Sequence, residues 1–367
     1  MHEMWMKRAL SLAEKGWGAT NPNPLVGAVI VNDGKMIGEG YHSAYGQPHA
    51  EVMALKNAGE LAKNATMYVT LEPCSHYGKT PPCTEAIIKS GIKKVYAALL
   101  DPNPKVAGTG FKKLNDAGIE THQGVLHQEA TEMNEIFIHF ITTETPFVIH
   151  KSAMSLDGKT ASNSGHSQWI TGEEARRHVH WLRQRVASIM VGVGTVIQDN
   201  PSLNVRGIDV EALHPLRIIV DSQGRIPLSS KVLNDSLSAK TIIATTERMS
   251  YEIEHRIQEK GAEVLKVASD DGKVSLKVLM KELGNRKIDS VLIEGGGMVA
   301  ASAFESKLVD KVMYYLAPKI IGGSNASGVI MGRGIQHMDE AIALKDMKCQ
   351  TIGKDLLISA RVNREVS

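Results

Sequence analysis

Cysteine is scarce, with three in 367 residues. Three thiols cannot staple a chain of this length, so a disulfide scaffold is excluded, and any pair of them that comes together is better explained by metal binding or catalysis in a reducing compartment. Aromatic residues make up only 5% of the chain, and the net charge is only +2. A tight grip on nucleic acid needs a field of Lys and Arg, with rings for the bases to stack on, so both shortages weigh against a polynucleotide ligand. No apolar run approaches the roughly 18–20 residues of a membrane span. Met1–Arg8 is charged and lacks an apolar signal core. Internal repeats and low-complexity segments are also missing. The expectation is a cytoplasmic protein with neither a membrane nor a nucleic acid as partner.

What is present is ordinary for a folded chain, 43% hydrophobic and 22% charged. At about 100–200 residues per domain, two domains are expected. Periodicity predicts a helix over Met4–Lys15, a hairpin of Leu25–Val31 and Met36–Gly40 turning at Asn32-Asp33-Gly34, and a helix over His49–Leu61. A strand at Met67–Leu71, a helix at Thr84–Lys89 closed by Gly91, a strand at Lys94–Leu100 and one long helix over His127–Phe140 follow. The polar, proline-ended Thr142–Pro146 marks a boundary, giving domains 1–145 and 146–367. Beyond it, β-branched runs alternate with helical stretches. The last two strands, Lys311–Ala317 and Asp355–Arg361, have no helix between them, which predicts an antiparallel edge on a mostly parallel sheet. The fold class is α/β in both halves.

Three potential metal ligands converge in the first half: His49 at the start of a helix, Cys74 after a strand, and Cys83 at the start of the next helix. One imidazole and two thiolates on zinc leave the fourth tetrahedral position for water, the pattern of a catalytic site. Glu51, two residues past the histidine, is placed to take a proton from that water and pass it to a leaving group. His-x-Glu with Pro-Cys and a second Cys is the signature of zinc nucleobase deaminases. The competing reading is a closed structural site with His42 or His76 as fourth ligand, which leaves Glu51 without a purpose. Eight residues, Ser75–Pro82, separate the two cysteines, where the short form of the motif has two. His76 and Lys79 in that loop suit a substrate bearing a phosphate.

The run Thr70–Cys83, with Asn23-Pro24-Leu25-Val26-Gly27 and His49-Ala50-Glu51, resembles the deaminase half of the bifunctional riboflavin-biosynthesis deaminase/reductase family. Lys151–Lys159, Ser167–Thr171, Val191–Thr195, Asp199–Leu203 and Glu294–Gly297 extend the resemblance over nearly the whole chain. It implies a cytidine-deaminase-like domain followed by a dihydrofolate-reductase-like domain that uses NADPH. Asn23, His42, His76 and Lys79 would then contact the deaminase substrate, and Ser167, Arg183, Leu203, Arg206 and Glu294 the reductase substrate. Ala153, Trp169, Thr195, Asp199, Gly295, Gly296 and Gly297 would contact the cofactor. The residues themselves say less: glycines after a strand can receive phosphate oxygens at a helix start, or can merely turn the chain. Lys151, Asp199 and Glu294 sit at element ends, where they can orient a sugar and supply a proton or serve only as ion-pair partners. Which of them protonates stays open.

The expected function is thus zinc-dependent deamination of a small phosphorylated pyrimidine, 2,5-diamino-6-(5-phosphoribosylamino)pyrimidin-4-one, followed by NADPH-dependent reduction of its ribosyl chain to ribityl, in a homo-oligomer. The rival is a nucleic-acid deaminase with an appended binding domain.

Overall fold

The computed structural model describes residues 1–78, 81–103, 106–235 and 239–364. The chain divides into two compact units, Met1–Glu144 and Thr145–Ser367.

The first unit runs α1 (His2–Ala13), β1 (Gly27–Asn32), β2 (Lys35–Tyr41), α2 (Ala50–Ala58), β3 (Thr66–Leu71), α3 (Cys83–Ser90), β4 (Lys94–Leu99), α4 (Thr109–Asp116), β5 (Glu120–Gln123), α5 (His127–Met133) and α6 (Glu135–Thr143). Its sheet has the order β2-β1-β3-β4-β5. The expected hairpin is present: β1 and β2 pair antiparallel, and Asp33 and Gly34 turn between them at φ 48° and 72°, the backbone that a two-residue hairpin loop requires. β3 runs antiparallel to β1, whereas β3, β4 and β5 are parallel. β1 and β3 are buried along almost their whole length because helices cover both faces. At Gly27 the backbone of α1 comes so near that a Cβ would lie 2.0 Å from the Ala9 carbonyl oxygen.

The single helix expected over His127–Phe140 is instead two, α5 and α6, meeting at Asn134 with φ −102° and ψ 18°. The cause is a long-range bond pair. The buried Asn134 amide accepts from Leu25 N at 2.8 Å and donates to Leu25 O at 3.1 Å, and that demand overrides helical continuity.

The second unit comprises β6 (Phe147–Ser155), α7 (Glu173–Arg185), β7 (Ser188–Gly192), α8 (Val193–Asp199), β8 (Leu216–Val220), α9 (Lys231–Asn234), β9 (Thr241–Thr245), α10 (Tyr251–Glu259), β10 (Glu263–Lys266), β11 (Ser269–Asp270), β12 (Lys273–Val274), α11 (Leu276–Asn285), β13 (Ser290–Glu294), α12 (Gly297–Glu305), β14 (Lys311–Ala317), β15 (Leu344–Ile352) and β16 (Asp355–Val362). Nine strands form one sheet in the order β10-β9-β8-β7-β13-β6-β14-β16-β15. β10 to β14 are parallel in that order, and β16 joins β14 antiparallel, as the helix-free spacing of the last strands predicts. β15, which carried no clear pattern in the sequence, adds a further antiparallel edge and is exposed along most of its length. The apolar residues of β7, β8, β9 and β13 are buried on both faces of the sheet. Their carboxyl ends therefore open into loops along one edge of the sheet, where a doubly covered parallel sheet places its ligand crevice. Among the described residues, no helix is long and apolar enough to cross a membrane.

Candidate active sites

In the first unit, His49 is the residue that opens α2, and Cys83 is the first residue of α3. Cys74 follows β3 after two residues, so consecutive strand–helix junctions deliver all three side chains to one point. Their ligand atoms lie within 4.8 Å of one another, with His49 Nδ1 at 3.5 Å from Cys74 Sγ and 3.3 Å from Cys83 Sγ. The Cys83 backbone N–H donates to Cys74 Sγ at 3.2 Å, so the start of α3 stabilises a thiolate there. Cys74 is held down to about 4, first by its hydrogen bond with Cys83 and then by His49, while Cys83 is pushed up by that same bond and by burial. A divalent cation would sit among these three donor atoms.

Glu51, 3% exposed on the first turn of α2, has its carboxyl raised to about 7 by burial and then by the charge of Cys74. Its Oε2 is buried and finds no hydrogen-bond partner. A buried carboxyl with one oxygen left unpaired beside a ligand cluster is poised for a proton. A cavity of about 310 Å³ opens onto this group, walled by Asn23, His42, His76, Asp101, Asn103 and Phe137 among others. His42 is not part of the ligand group: its Nδ1 lies 3.3 Å from Pro48 O, its Nε2 lies 3.2 Å from Asn23 Nδ2, and its ring meets His49 edge-on at 5.3 Å. His76 lines the cavity without joining the ligands either, so the closed four-ligand reading has no support among the described residues. Lys79 lies outside the described residues.

In the second unit, a cleft of about 1150 Å³ runs along the carboxyl ends of the parallel strands. Lys151, Ala153, Ser167, Trp169, Arg183, Thr195, Asp199, Leu203, Arg206, Glu294, Gly295, Gly296 and Gly297 all line it. At its floor is a buried charge cluster. Arg183 Nε and Nη2 grip the two oxygens of Glu294 at 2.7 and 2.8 Å, Arg183 Nη1 donates to Asn204 O at 2.9 Å, and Lys151 Nζ reaches Glu294 Oε2 at 3.5 Å. Burial raises the Glu294 carboxyl, but the positive charges of Arg183 and Lys151 more than offset this and hold it at about 2. Lys151 is itself pushed below the usual amine range by burial, an effect that Glu294 partly reverses.

Asp199 stands apart from this cluster on the cleft wall, accepting from Ser167 Oγ at 3.3 Å. Trp169 is 60% exposed into the cleft, with the Arg176 guanidinium 4.7 Å from its ring centre and Lys319 donating to its carbonyl oxygen at 2.8 Å. Leu203 is buried at φ 49°, and the Arg206 side chain donates to Asn204 Oδ1 at 2.6 Å. Gly296 caps α12 at φ 80°, just after β13, and Gly296 and Gly297 both line the cleft.

Several cavity residues escaped the sequence reading. Asp101 and Asn103 lie on the loop after β4 and Phe137 on α6, far in sequence from the ligand motif and without a motif of their own. Ser222, Gln223, Arg225, Arg248 and Lys273 line the far end of the cleft, beyond β8 and β9. The shared signal for the first four is position, since each follows the end of β8 or β9, whereas Lys273 opens β12.

Known proteins match both halves of the chain. A family model described as "RibD C-terminal domain" matches residues 146–358, and one described as "Cytidine and deoxycytidylate deaminase zinc-binding region" matches residues 1–99. The riboflavin biosynthesis protein RibD of Actinobacillus pleuropneumoniae is 46% identical over 354 residues, covering 96% of this chain and 93% of its own. RibD of Escherichia coli K12 is 40% identical over 367 residues, covering 97% of this chain and 98% of its own. Among solved structures, Acinetobacter baumannii RibD superposes with a TM-score of 0.88 at 38% identity, and 99% of each chain is covered. A Thermotoga maritima structure titled diaminohydroxyphosphoribosylaminopyrimidine deaminase/5-amino-6-(5-phosphoribosylamino)uracil reductase gives 0.86 at 38% identity, again over 99% of each chain.

Proposed function

The chain belongs to the RibD family of bifunctional riboflavin-biosynthesis enzymes, and from that premise we propose which residues perform each of its two reactions. Residues 1–145 form the deaminase and residues 146–367 the reductase. The observation that carries the first assignment is the buried, unpartnered Glu51 oxygen beside the His49–Cys74–Cys83 group. This donor set fits zinc in number and kind. When bound, zinc supplies a Lewis acid that activates water for attack on the amine-bearing ring carbon. Glu51 does the proton work: with its carboxyl near 7 it can accept a proton at Oε2 and return it to the departing ammonia at the same pH. Asn23 and His42, bonded to one another, present a polar wall to the pyrimidine, and His76, on the same cavity, would meet its phosphate, a role the resemblance also gives to Lys79. The substrate proposed is 2,5-diamino-6-(5-phosphoribosylamino)pyrimidin-4-one.

For the reductase, the cleft fits a dinucleotide. NADPH, when bound, supplies the hydride that converts the ribosyl chain to ribityl. Neighbouring strands are about 4.8 Å apart. Crossing from β6 through β13 and β7 to β8 therefore spans the length from a nicotinamide near Lys151, past a pyrophosphate at Gly295–Gly297 and Thr195, to an adenosine beyond β8. Trp169, Ala153 and Asp199 would border the nicotinamide half. Glu294, ionised and held through both oxygens by Arg183, orients the sugar electrostatically and has no proton to give at neutral pH. Lys151 does have one, and its lowered affinity for that proton suits it to donate. Arg183, Ser167, Leu203 and Arg206 complete the substrate wall.

The reading includes a cytoplasmic homo-oligomer without nucleic-acid partners. The exposed edge strand β15, with Leu344 and Met347 open to solvent, supports the self-association, and light scattering on the purified chain tests it. The reactions are tested by incubating the full chain with the diamino-pyrimidine phosphate, with and without NADPH, while following ammonia and absorbance. Ammonia without NADPH, then NADPH oxidation when it is added, is the expected result. Absence of either signal removes the corresponding assignment.

A further inference from the structure

Glu72 is the first residue after β3 and stands two before the ligand Cys74; it is 5% exposed. Its carboxylate is fully occupied by backbone. Oε2 accepts from Asp101 N at 3.0 Å and Gly108 N at 2.9 Å, and Oε1 accepts from Gly110 N at 2.8 Å and Phe111 N at 3.2 Å. An ionised carboxylate offers about four lone-pair sites, so this count saturates it. All four donors belong to one stretch, the loop after β4 and the first turn of α4.

The first turn of α4 is seated closely against the segment that carries Cys74. A Cβ on Gly110 would lie 2.1 Å from Pro73 O and 3.0 Å from Glu72 Oε1. Ser75 Oγ and Thr109 Oγ1 share a hydrogen bond of 2.7 Å. At the near end of the same stretch, Asp101 Oδ1 accepts from Asn103 N at 2.9 Å, and both residues line the cavity that holds His49 and Glu51. One buried side chain thus fixes a cavity wall relative to the ligand segment. Gln in its place keeps one acceptor oxygen and turns an NH₂ toward two backbone donors, so the requirement is for a carboxylate and not only for a side chain of that length.

We propose that Glu72 is a positioning residue of the deaminase site: it ties Asp101 to Gly108, Gly110 and Phe111 so that Asp101 and Asn103 contact the pyrimidine substrate opposite Glu51. The inference rests on the deaminase reading given above.

The test uses the full chain carrying Glu72→Gln, with ammonia release read as separate kcat and KM and zinc measured by elemental analysis. The expected result is zinc retained at the parent level, KM raised at least tenfold, kcat changed less than about threefold, and reduction of directly supplied deaminated substrate unaltered. A double-mutant cycle isolates the route. In an Asp101→Asn/Asn103→Ala background, Glu72→Gln should add less than twofold in KM. If Glu72→Gln does not fold, Glu72→Asp, which keeps the charge on a shorter stem, is read in the same assay and should give a smaller KM rise in the same direction.

Unchanged KM in the variant that folds, loss of zinc with activity, or a full tenfold effect persisting in the double background would each overturn the proposal while leaving the deaminase assignment standing. No ammonia from the parent protein would overturn both.

Discussion

Replacing Glu294 with glutamine removes the single negative charge from a cluster in which two cations are nearly dry. The side chains of Lys151, Arg183 and Glu294 are 13%, 13% and 7% exposed. Taking one partner out of a buried pair leaves an uncompensated charge and costs about 3–5 kcal/mol. A second route gives a similar figure. A carboxyl at about 2 in the folded chain, against about 4.3 unfolded, is worth roughly 3 kcal/mol at neutral pH. Lys151 can relieve part of the strain by losing its proton, so the lower end of the range is expected. With a urea slope of about 3 kcal/mol per molar for a unit of this size, the unfolding midpoint of the second unit should fall by about 1 M.

The pH dependence has a fixed sign. Because the folded value is depressed, the contribution is present above about 4.3 and is lost as pH falls towards 2, so the gap between parent and variant should close over that window. The Arg183→Met/Glu294→Gln double variant, which removes both partners of the bidentate pair, should recover more than half of the loss. A loss under about 1 kcal/mol at pH 7 would show that water screens the cluster and that the electrostatic account of Glu294 is wrong.

Glu51→Gln should keep its zinc and lose deamination by about 10²–10⁴-fold, measured as ammonia release, because the proton carrier is gone while the ligands remain. Asn134→Ala leaves Leu25 N and O buried without partners and should destabilise the first unit by about 2–4 kcal/mol in calorimetry of the full chain, sparing reduction. Gly27→Ala drives a methyl into the Ala9 carbonyl and should cost about 3 kcal/mol or more in the same measurement. Dialysis against a chelator should abolish ammonia release and lower the transition of the first unit, with NADPH oxidation on deaminated substrate intact; full deamination by zinc-free protein would refute the ligand assignment.

The parts of the two sites that could be read in the sequence are those whose geometry is local. His49 and Glu51 share the first turn of one helix, and Cys74 and Cys83 flank one loop, so spacing alone carried their chemistry. Gly295–Gly297 likewise follow their strand directly. Glu72, Asp101 and Asn103 could not be read this way, since nothing in a run of Leu-Glu-Pro says that its carboxylate will meet four amides some thirty to forty residues on. The break at Asn134 is of the same kind, because helical periodicity continues through it and only a bond to a residue 109 positions earlier ends the helix. Arg183 and Glu294 were legible singly, as a helix charge and a strand end. Their bidentate grip is a product of sheet order, in which β13 lies between β7 and β6. β15 was missed because an exposed edge strand has no buried face to impose alternation on its residues.

The compact ligand motif also sets an order of events during synthesis. The farthest-separated members of the His49–Cys74–Cys83 group, His49 and Cys83, are 34 residues apart, whereas Lys151 and Glu294 are 143 apart. Loop closure costs grow as about (3/2)RT ln n, so bringing the second pair together is dearer by about 1 kcal/mol before any packing repays it. Every donor of the first site has left the ribosome once Cys83 has, and a metal can begin to organise the nascent β3–α3 junction while the second half is still being made. The cleft of the second unit has no such head start: its central strand β13 is among the later ones translated, and β6 and β7 must wait for it to fill the gap between them.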